Sequence, residues 1–441
     1  MTSVSMGPIE SEAATPFAQA LFDGLTCALF FSAPLGLGMQ KAVAVDVSKL
    51  FPLLAATLVV IACFVRGVSP MRLPRRFALF FLFAAVHTCI VYGFLHPDEF
   101  VIGYGDQRYT EQGFSTLLET PSTTVARIVI FVALYLALAT KLNGTKGTAG
   151  PALAYGAGYA VSLAFGGYSS TWLTAGGVET RSTGGFLNAN AFGVSGAMLC
   201  LLGLIAICRR TGKPLTVAAI WAVTAVGLTG VLMSGSRTAM LGVAVSVVLF
   251  AITVRGVVAK YLAVVVTTVA LLLAVALSSD SIRETLRSRL SAERIGGTSG
   301  ASRAEIWSDY LSTMDEWALC GVGFQRSTKL AEVNHRTVSV FITHNSYLGV
   351  AVEFGLVGLA LLIAAQLQFL GRLRALVRTT RSSETALIFS SAVGWSCMCL
   401  FGNLESGRDI WLFFGLISAC ARCSAPMLRP SRHIDREGIA A

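Results

Sequence analysis

Residues 189–208 read ANAFGVSGAMLCLLGLIAIC, a run of twenty residues that contains no charged side chain. An α-helix rises about 1.5 Å per residue, so this run spans about 30 Å, the thickness of the hydrocarbon layer of a bilayer. Eleven similar runs predict, together with this one, an all-α polytopic membrane protein with about 12 transmembrane helices. They lie near residues 18–37, 50–66, 77–95, 124–140, 151–168, 215–234, 238–254, 259–278, 347–368, 385–401 and 410–423.

Composition and charge distribution agree with a membrane protein. Charged residues make up 13% of the 441 residues and the mean hydropathy is +0.68, whereas about 25% of residues are charged in soluble domains. Nineteen Lys and Arg residues fall in the loops that share a side with the N-terminus, against six in the opposite short loops. Because positive charge marks the cytoplasmic side, we expect both termini to be cytoplasmic. The net charge of +10 therefore reflects topology, and no nucleic-acid partner is expected.

One long extramembrane segment divides the chain. We expect transmembrane helices 1–9 within 1–278, a periplasmic loop over 279–346, and transmembrane helices 10–12 with a cytoplasmic tail over 347–441. The segment 279–346 contains two capping-box patterns, Ser281 with Glu284 and Ser302 with Glu305, which predict two short helices over the outer opening of the bundle. In the second of these helices, a stripe that includes Trp307 and Tyr310 is expected to rest on the membrane domain.

Four polar residues collect on the outer face. Arg181, Arg237, Arg303 and His344 all lie at or beside predicted helix ends on the same side of the membrane. Guanidinium groups match phosphate oxygens bidentately, so the three arginines predict a site for a phosphate or pyrophosphate. The positive end of a helix disfavours imidazolium, and a neutral His344 beside such a site can act as a general base. Asn345 is expected to cap the helix that follows or to contact substrate.

Simpler interpretations stay open for each of these residues. A single Arg near a helix end is commonly a snorkelling anchor, and Trp307 fits an interfacial anchor as well as a sugar-binding platform. His87 fits a core histidine, and Glu353 lies on the far side of a regular helix from His344. The sequence shows no metal-ligand spacing and no nucleotide-binding motif, so neither a metal nor a cofactor is expected.

Five motifs occur in an order that resembles the superfamily of O-antigen ligases and polymerases. They are RSTGGFLNANAFG (181–193), SGSRTAMLG (234–242), SRAEIW (302–307), GVG (321–323) and HNSYLGVAVEFGLVGL (344–359). Where the family often has Asn-Pro-Asn, this chain has Asn188-Ala189-Asn190. The resemblance is carried by motifs over residues 181–360, and the twelve-span layout extends it along the chain.

The resemblance implies a GT-C-like, inverting, metal-independent glycan transferase of the bacterial inner membrane with its active site on the periplasmic side. The implied donor is a glycan on undecaprenyl pyrophosphate and the implied acceptor is a lipid A–core hydroxyl. By motif, Arg181, Arg237 and Arg303 bind the pyrophosphate and His344 deprotonates or orients the acceptor. Apart from the resemblance, Asn345 and Trp307 are candidates for further substrate contacts.

The short loop 169–188 favours an O-antigen ligase over a polymerase, which is the alternative within the same superfamily. A flippase or transporter is the alternative from another class, and it predicts several charged residues deep within the spans. Glu353 is the main residue of that kind in the sequence.

Overall fold

A computed structural model describes the chain over most of its apolar runs. The described residues are 16–35, 75–94, 149–165, 170–174, 177–181, 189–208, 213–254, 303–323, 329–333, 337–341 and 343–402, with the single residues 54, 57, 413, 415 and 417. Within these residues the protein is mainly helical. The helices are α1 (Pro16–Ser32), α2 (Arg75–Phe94), α3 (Ala149–Phe165), α4 (Ala189–Cys208), α5 (Pro214–Ser234), α6 (Arg237–Thr253), α7 (Arg303–Ser312), α8 (Met314–Trp317), α9 (Ser346–Thr380) and α10 (Ser383–Cys399).

The helices follow the predicted apolar runs closely. Eight of the twelve runs correspond to α1–α6, α9 and α10, whereas the runs at 50–66, 124–140, 259–278 and 410–423 lie wholly or mostly outside the described residues. Of the described helices, three are long and apolar enough to cross a membrane, namely α4, α5 and α9. The chain is an integral membrane protein, and the count of twelve spans stays a prediction.

Two short hairpins are added to the expected all-α fold. Antiparallel strands β1 (Ser170–Thr174) and β2 (Gly177–Arg181) pair with Thr174 opposite Gly177, and β3 (Lys329–Val333) pairs with β4 (Thr337–Phe341). The first hairpin lies in the segment predicted as a loop, and the second in the segment predicted to hold only helices. Strands of five residues give too short an alternation to stand out from a loop, and this is why the sequence reasoning missed them.

Small residues allow the main helix pairs to pack closely. A Cβ atom on Gly196 of α4 would lie 2.7 Å from the Gly227 carbonyl oxygen of α5, so these two backbones are in direct contact. Between α6 and α10, a Cβ atom on Gly394 would lie 2.4 Å from the Gly242 carbonyl oxygen. Such small-residue contacts are a common way for helices to associate in a membrane.

Helix α9 departs from the regular span predicted over 347–368. Gly355 has φ 70° and ψ 180°, which is not a helical conformation. The Tyr347 hydroxyl donates a hydrogen bond to Gln366 Oε1 at 2.9 Å, although nineteen residues of straight helix would separate their Cα atoms by about 28 Å. The helix therefore folds back at Gly355 into a short arm, residues 346–354, and a long arm, residues 356–380.

Helices α7 and α8, which lie in the segment predicted to be extramembrane, pack against the short arm. Ile306, Tyr310 and Trp317 form a buried cluster with Ala351 and Val352, and Trp307 lies at its edge. Tyr310 is fully buried, and the Trp317 indole N–H donates to the Tyr310 carbonyl at 2.9 Å. The stripe predicted in the second extramembrane helix, which corresponds to α7, thus packs against the short arm of α9, and its position relative to the membrane stays a prediction. The first of the two predicted extramembrane helices, which begins at Ser281, lies outside the described residues.

Candidate functional site

His344 lies in the turn that joins β4 to the short arm of α9. Its φ is +48°, a left-handed conformation that is uncommon for residues other than glycine. The next residue, Asn345, is the N-cap of α9, and its Oδ1 accepts hydrogen bonds from the backbone N–H groups of Tyr347 at 2.9 Å and Leu348 at 3.1 Å. The Thr343 hydroxyl donates to the Asn345 carbonyl at 3.2 Å. The turn is therefore fixed on both sides of the histidine.

Helix α7 brings its first turn to this histidine. The indole N–H of Trp307 donates to the Thr343 carbonyl at 2.8 Å, which ties α7 to the residue before His344. Arg303 lies one turn earlier on the same face of α7, and its charge acts on the His344 imidazole. Residues that are 41 positions apart in the sequence thus form one site.

Electrostatics favour a neutral His344. Burial lowers the pKa of the imidazole first, because it removes water from the charged form, and the nearby Arg303 charge lowers the pKa further. At neutral pH the ring is therefore uncharged and has a nitrogen lone pair that can accept a proton. A fixed cation beside a neutral imidazole can bind an anionic group next to a proton acceptor.

Residues 401–402, which follow α10, join the segments around this site. The Ser346 hydroxyl donates to the Gly402 carbonyl at 2.6 Å, and the Thr238 hydroxyl at the start of α6 donates to the Phe401 carbonyl at 3.0 Å. The Phe401 ring lies 6.3 Å from the Trp307 ring, between centroids. The sequence reasoning missed this junction, because two carbonyl oxygens after an apolar helix leave no signal in residue types.

Arg237 is placed next to that junction. It is the first residue of α6 and is exposed, and the following residue, Thr238, bonds to Phe401. The Ser236 hydroxyl oxygen caps α6 by accepting from the Ala239 N–H at 3.4 Å. The tight turn before it depends on Gly235, whose φ is +59°, so the cation is presented at a helix N-terminus.

The backbone of Arg181 ends β2, opposite Ser170. The link from there to α4, residues 182–188, lies outside the described residues, and the structure does not describe the Arg181 side chain. The structure thus brings together Arg303, Trp307, His344 and Asn345, and it places Arg237 beside their common junction. The inclusion of Arg181 stays a prediction.

Two of the predicted substrate-binding residues already have structural partners. Asn345 Oδ1 holds two backbone N–H groups, and the Trp307 indole N–H holds the Thr343 carbonyl. These atoms therefore build the turn that carries His344. Direct contact of Asn345 or Trp307 with a substrate stays a prediction.

Comparison with known families supports the resemblance seen in the motifs. The family model described as O-Antigen ligase matches residues 222–363. The match includes Arg237, Arg303, Trp307, His344 and Asn345, and Arg181 lies before it. A search of curated proteins finds no match. The matched segment is the one in which α7 and the fold-back of α9 form the site.

Proposed function

We propose that this chain, whose residues 222–363 match a family model described as O-Antigen ligase, is an O-antigen ligase of the bacterial inner membrane. It transfers a polysaccharide from undecaprenyl pyrophosphate to a hydroxyl of the lipid A–core on the periplasmic face. The observation that carries the proposal is the hydrogen bond from Trp307 to the Thr343 carbonyl, which brings the first turn of α7, with Arg303, to the half-buried His344.

The chemistry follows from that pairing. The acceptor hydroxyl attacks the anomeric carbon of the donor glycan, and His344 takes the hydroxyl proton. A new C–O bond forms to the acceptor while the bond from the anomeric carbon to the pyrophosphate oxygen breaks, with inversion at that carbon. Arg303, with Arg237 and Arg181, neutralises the charge that develops on the departing undecaprenyl pyrophosphate.

The backbone conformation of His344 fits this role. A non-glycine residue with φ +48° is held in a sparsely populated region by its surroundings, a kind of strain that concentrates at active sites. Here the surroundings are the Trp307 bond on one side and the Asn345 cap on the other. The turn fixes the backbone of His344 before the substrate arrives, which lowers the entropy cost of the reaction.

A gene deletion tests the proposal in the host. Lipopolysaccharide is separated by gel, and undecaprenyl-linked polymer is followed by immunoblot, with the wild-type gene or His344→Ala supplied in trans. A ligase predicts loss of the ladder on lipid A–core with accumulation of lipid-linked polymer, and restoration by wild type alone. Cores capped by a single repeat unit would instead indicate the polymerase, and loss of the ladder with lipid-linked glycan retained on the cytoplasmic side of the membrane would indicate the flippase.

A further inference from the structure

The fold-back of α9 releases backbone groups that a continuous helix would pair with one another. In a regular helix the Val352 carbonyl would accept from the Leu356 N–H. Here the Val352 carbonyl accepts from the Val322 N–H at 2.8 Å, and the Leu356 N–H donates to the Ala318 carbonyl at 2.8 Å. Residues 318–323 follow α8 and are called the bracing loop below. This loop supplies a new donor for the Val352 carbonyl and a new acceptor for the Leu356 N–H, and so replaces both halves of the lost helical bond.

The bracing loop and the break fit each other closely. Gly321 has φ +68°, and a Cβ atom on it would lie 2.4 Å from the Glu353 carbonyl oxygen. Gly355 has φ +70°, and a Cβ atom on it would lie 2.4 Å from the Leu319 carbonyl oxygen. Both glycines are needed because no side chain fits between the two backbones, and any other residue would be strained at this φ.

His87 of α2 holds the bracing loop from the other side. Its Nε2–H donates to the Cys320 carbonyl, since a carbonyl oxygen can only accept. The imidazole ring also packs edge-on against Phe354, with 5.3 Å between centroids, and lies 5.7 Å from the Phe83 ring. A histidine that the sequence suggested to be a core residue therefore contacts both the bracing loop and the last residue of the short arm.

The bracing loop is continuous with the helices that carry the site. It follows α8 directly, and the cluster around Tyr310 fixes α8 and α7 to the short arm. At its far end α7 is tied to the turn of His344 through Trp307. Residues 303–323 thus bridge the two ends of the short arm, with Arg303 at one end and the bracing loop at the other.

We propose that His87 is a positioning residue that, by fixing the bracing loop at the Gly355 break, keeps Arg303 and Trp307 in register with His344. The short arm is only about 13 Å long at 1.5 Å per residue, so a shift of α7 and α8 at one end reaches the other. This inference rests on the proposed function for its effect on glycan transfer. Its effect on the structure does not depend on any substrate.

The test compares His87→Leu with His87→Gln in the purified full chain. Leucine removes the donor, whereas the glutamine amide can still donate to the Cys320 carbonyl. We expect faster hydrogen exchange at the Val322 and Leu356 amides in His87→Leu, and near wild-type exchange in His87→Gln. Glycan transfer is expected to fall by about tenfold to a hundredfold in His87→Leu and to be largely restored in His87→Gln.

A cycle with Arg303→Gln separates positioning from general damage. If His87 acts through Arg303, then adding His87→Leu to Arg303→Gln costs little further activity, because coupled residues are not additive. Fully multiplied losses, or equal losses for leucine and glutamine, would overturn the proposal. Unchanged hydrogen exchange in His87→Leu would overturn it as well.

A substrate-free measurement keeps the inference apart from the proposed function. Modification of His344 by diethyl pyrocarbonate against pH, read by mass spectrometry, reports the neutral imidazole. The charge that acts on the His344 imidazole is Arg303 on α7. The same helix also carries Glu305 and Asp309, α8 carries Asp315 and Glu316, the short arm carries Glu353, and α6 carries Arg237, and His87→Leu leaves all of them in the chain. If Arg303 moves away from His344, we expect the pH midpoint of His344 modification to move to higher pH, because the cation no longer opposes protonation of the imidazole. Arg303→Gln is expected to move it in the same direction.

An unmoved midpoint in the His87→Leu protein would contradict the inference even if no glycan transfer were found. If His87→Leu does not accumulate, Gly355→Ala disturbs the same contact from the other side. Gly371→Ala on the long arm is its control, because a Cβ atom there meets nothing within 4 Å.

Discussion

The helix pair α6 and α10 and the pair formed by α7 with the short arm of α9 hold together in different ways. The first pair is regular, and its glycines bring two backbones into contact along continuous helices, as at Gly242 and Gly394. The second pair contains a broken helix whose backbone groups are completed by the bracing loop. The site lies where these pairs meet, at Phe401. Regular packing forms the scaffold, and the irregular pair carries Arg303 and His344, the residues that we propose for catalysis.

The largest effect is expected at the turn of the irregular pair. His344→Ala removes the proposed proton acceptor, and we expect transfer to fall by about a thousandfold with normal accumulation of the protein. The measurement is the rate of transfer to lipid A–core in membranes that contain equal amounts of protein. A rate within a factor of a few of wild type would show that His344 does not take part in the reaction. Both helix pairs would then have only a structural role.

The next effect concerns the charge beside that histidine. Arg303→Gln is expected to lower transfer by about a hundredfold, since one stabilising group for the leaving pyrophosphate is lost. It should also move the acidic limb of the pH–rate profile to higher pH, because the positive charge that lowers the His344 pKa is gone.

Arg303→Lys is the matched control for charge. It should keep the position of the acidic limb while losing part of the rate, because Lys cannot bind phosphate bidentately. A limb that stays in place in Arg303→Gln would contradict the electrostatic coupling of the two residues.

A moderate effect is expected in the regular pair. A methyl group on Gly394 would lie 2.0 Å from Ser246 Oγ of α6, so Gly394→Ala should force α10 away from α6. Overpacking of this kind costs about 1–3 kcal/mol of unfolding free energy, measurable by denaturant titration in detergent. Gly371→Ala makes the same chemical change at an open site and should be neutral or slightly stabilising. Equal stability of the two variants would show that the pair does not need the glycine contact.

The smallest effect is expected at the cap of the short arm. Asn345→Ala loses the acceptor for two backbone N–H groups and should cost about 1 kcal/mol. Asn345→Asp keeps an acceptor oxygen and should retain most of the stability. If transfer falls in both variants while stability changes only in Asn345→Ala, the residue also contacts substrate. If transfer follows stability in both, the cap is its whole role.

The regular pair was predictable from the sequence and the irregular pair only in part. The apolar runs predicted at 238–254 and 385–401 match α6 (Arg237–Thr253) and α10 (Ser383–Cys399) to within two residues at each end, because a long apolar run has one favourable arrangement in a bilayer. The sequence also predicted that Arg303 and His344 lie on the same side of the membrane, because both are polar residues at predicted helix ends. The break at Gly355 was missed because valine, glutamate and phenylalanine before it fit a helix, and the partners of the broken bonds lie more than thirty residues away at Ala318 and Val322.

Reconstitution with defined substrates tests the central claim most directly. The purified wild-type chain and His344→Ala are each incubated in proteoliposomes with an undecaprenyl pyrophosphate-linked glycan and lipid A–core, and products are read by mass spectrometry. The account predicts glycan joined to lipid A–core with release of undecaprenyl pyrophosphate for wild type, and a rate lower by about a thousandfold for His344→Ala. A longer glycan that stays on undecaprenyl pyrophosphate, or equal transfer by both proteins, would contradict it.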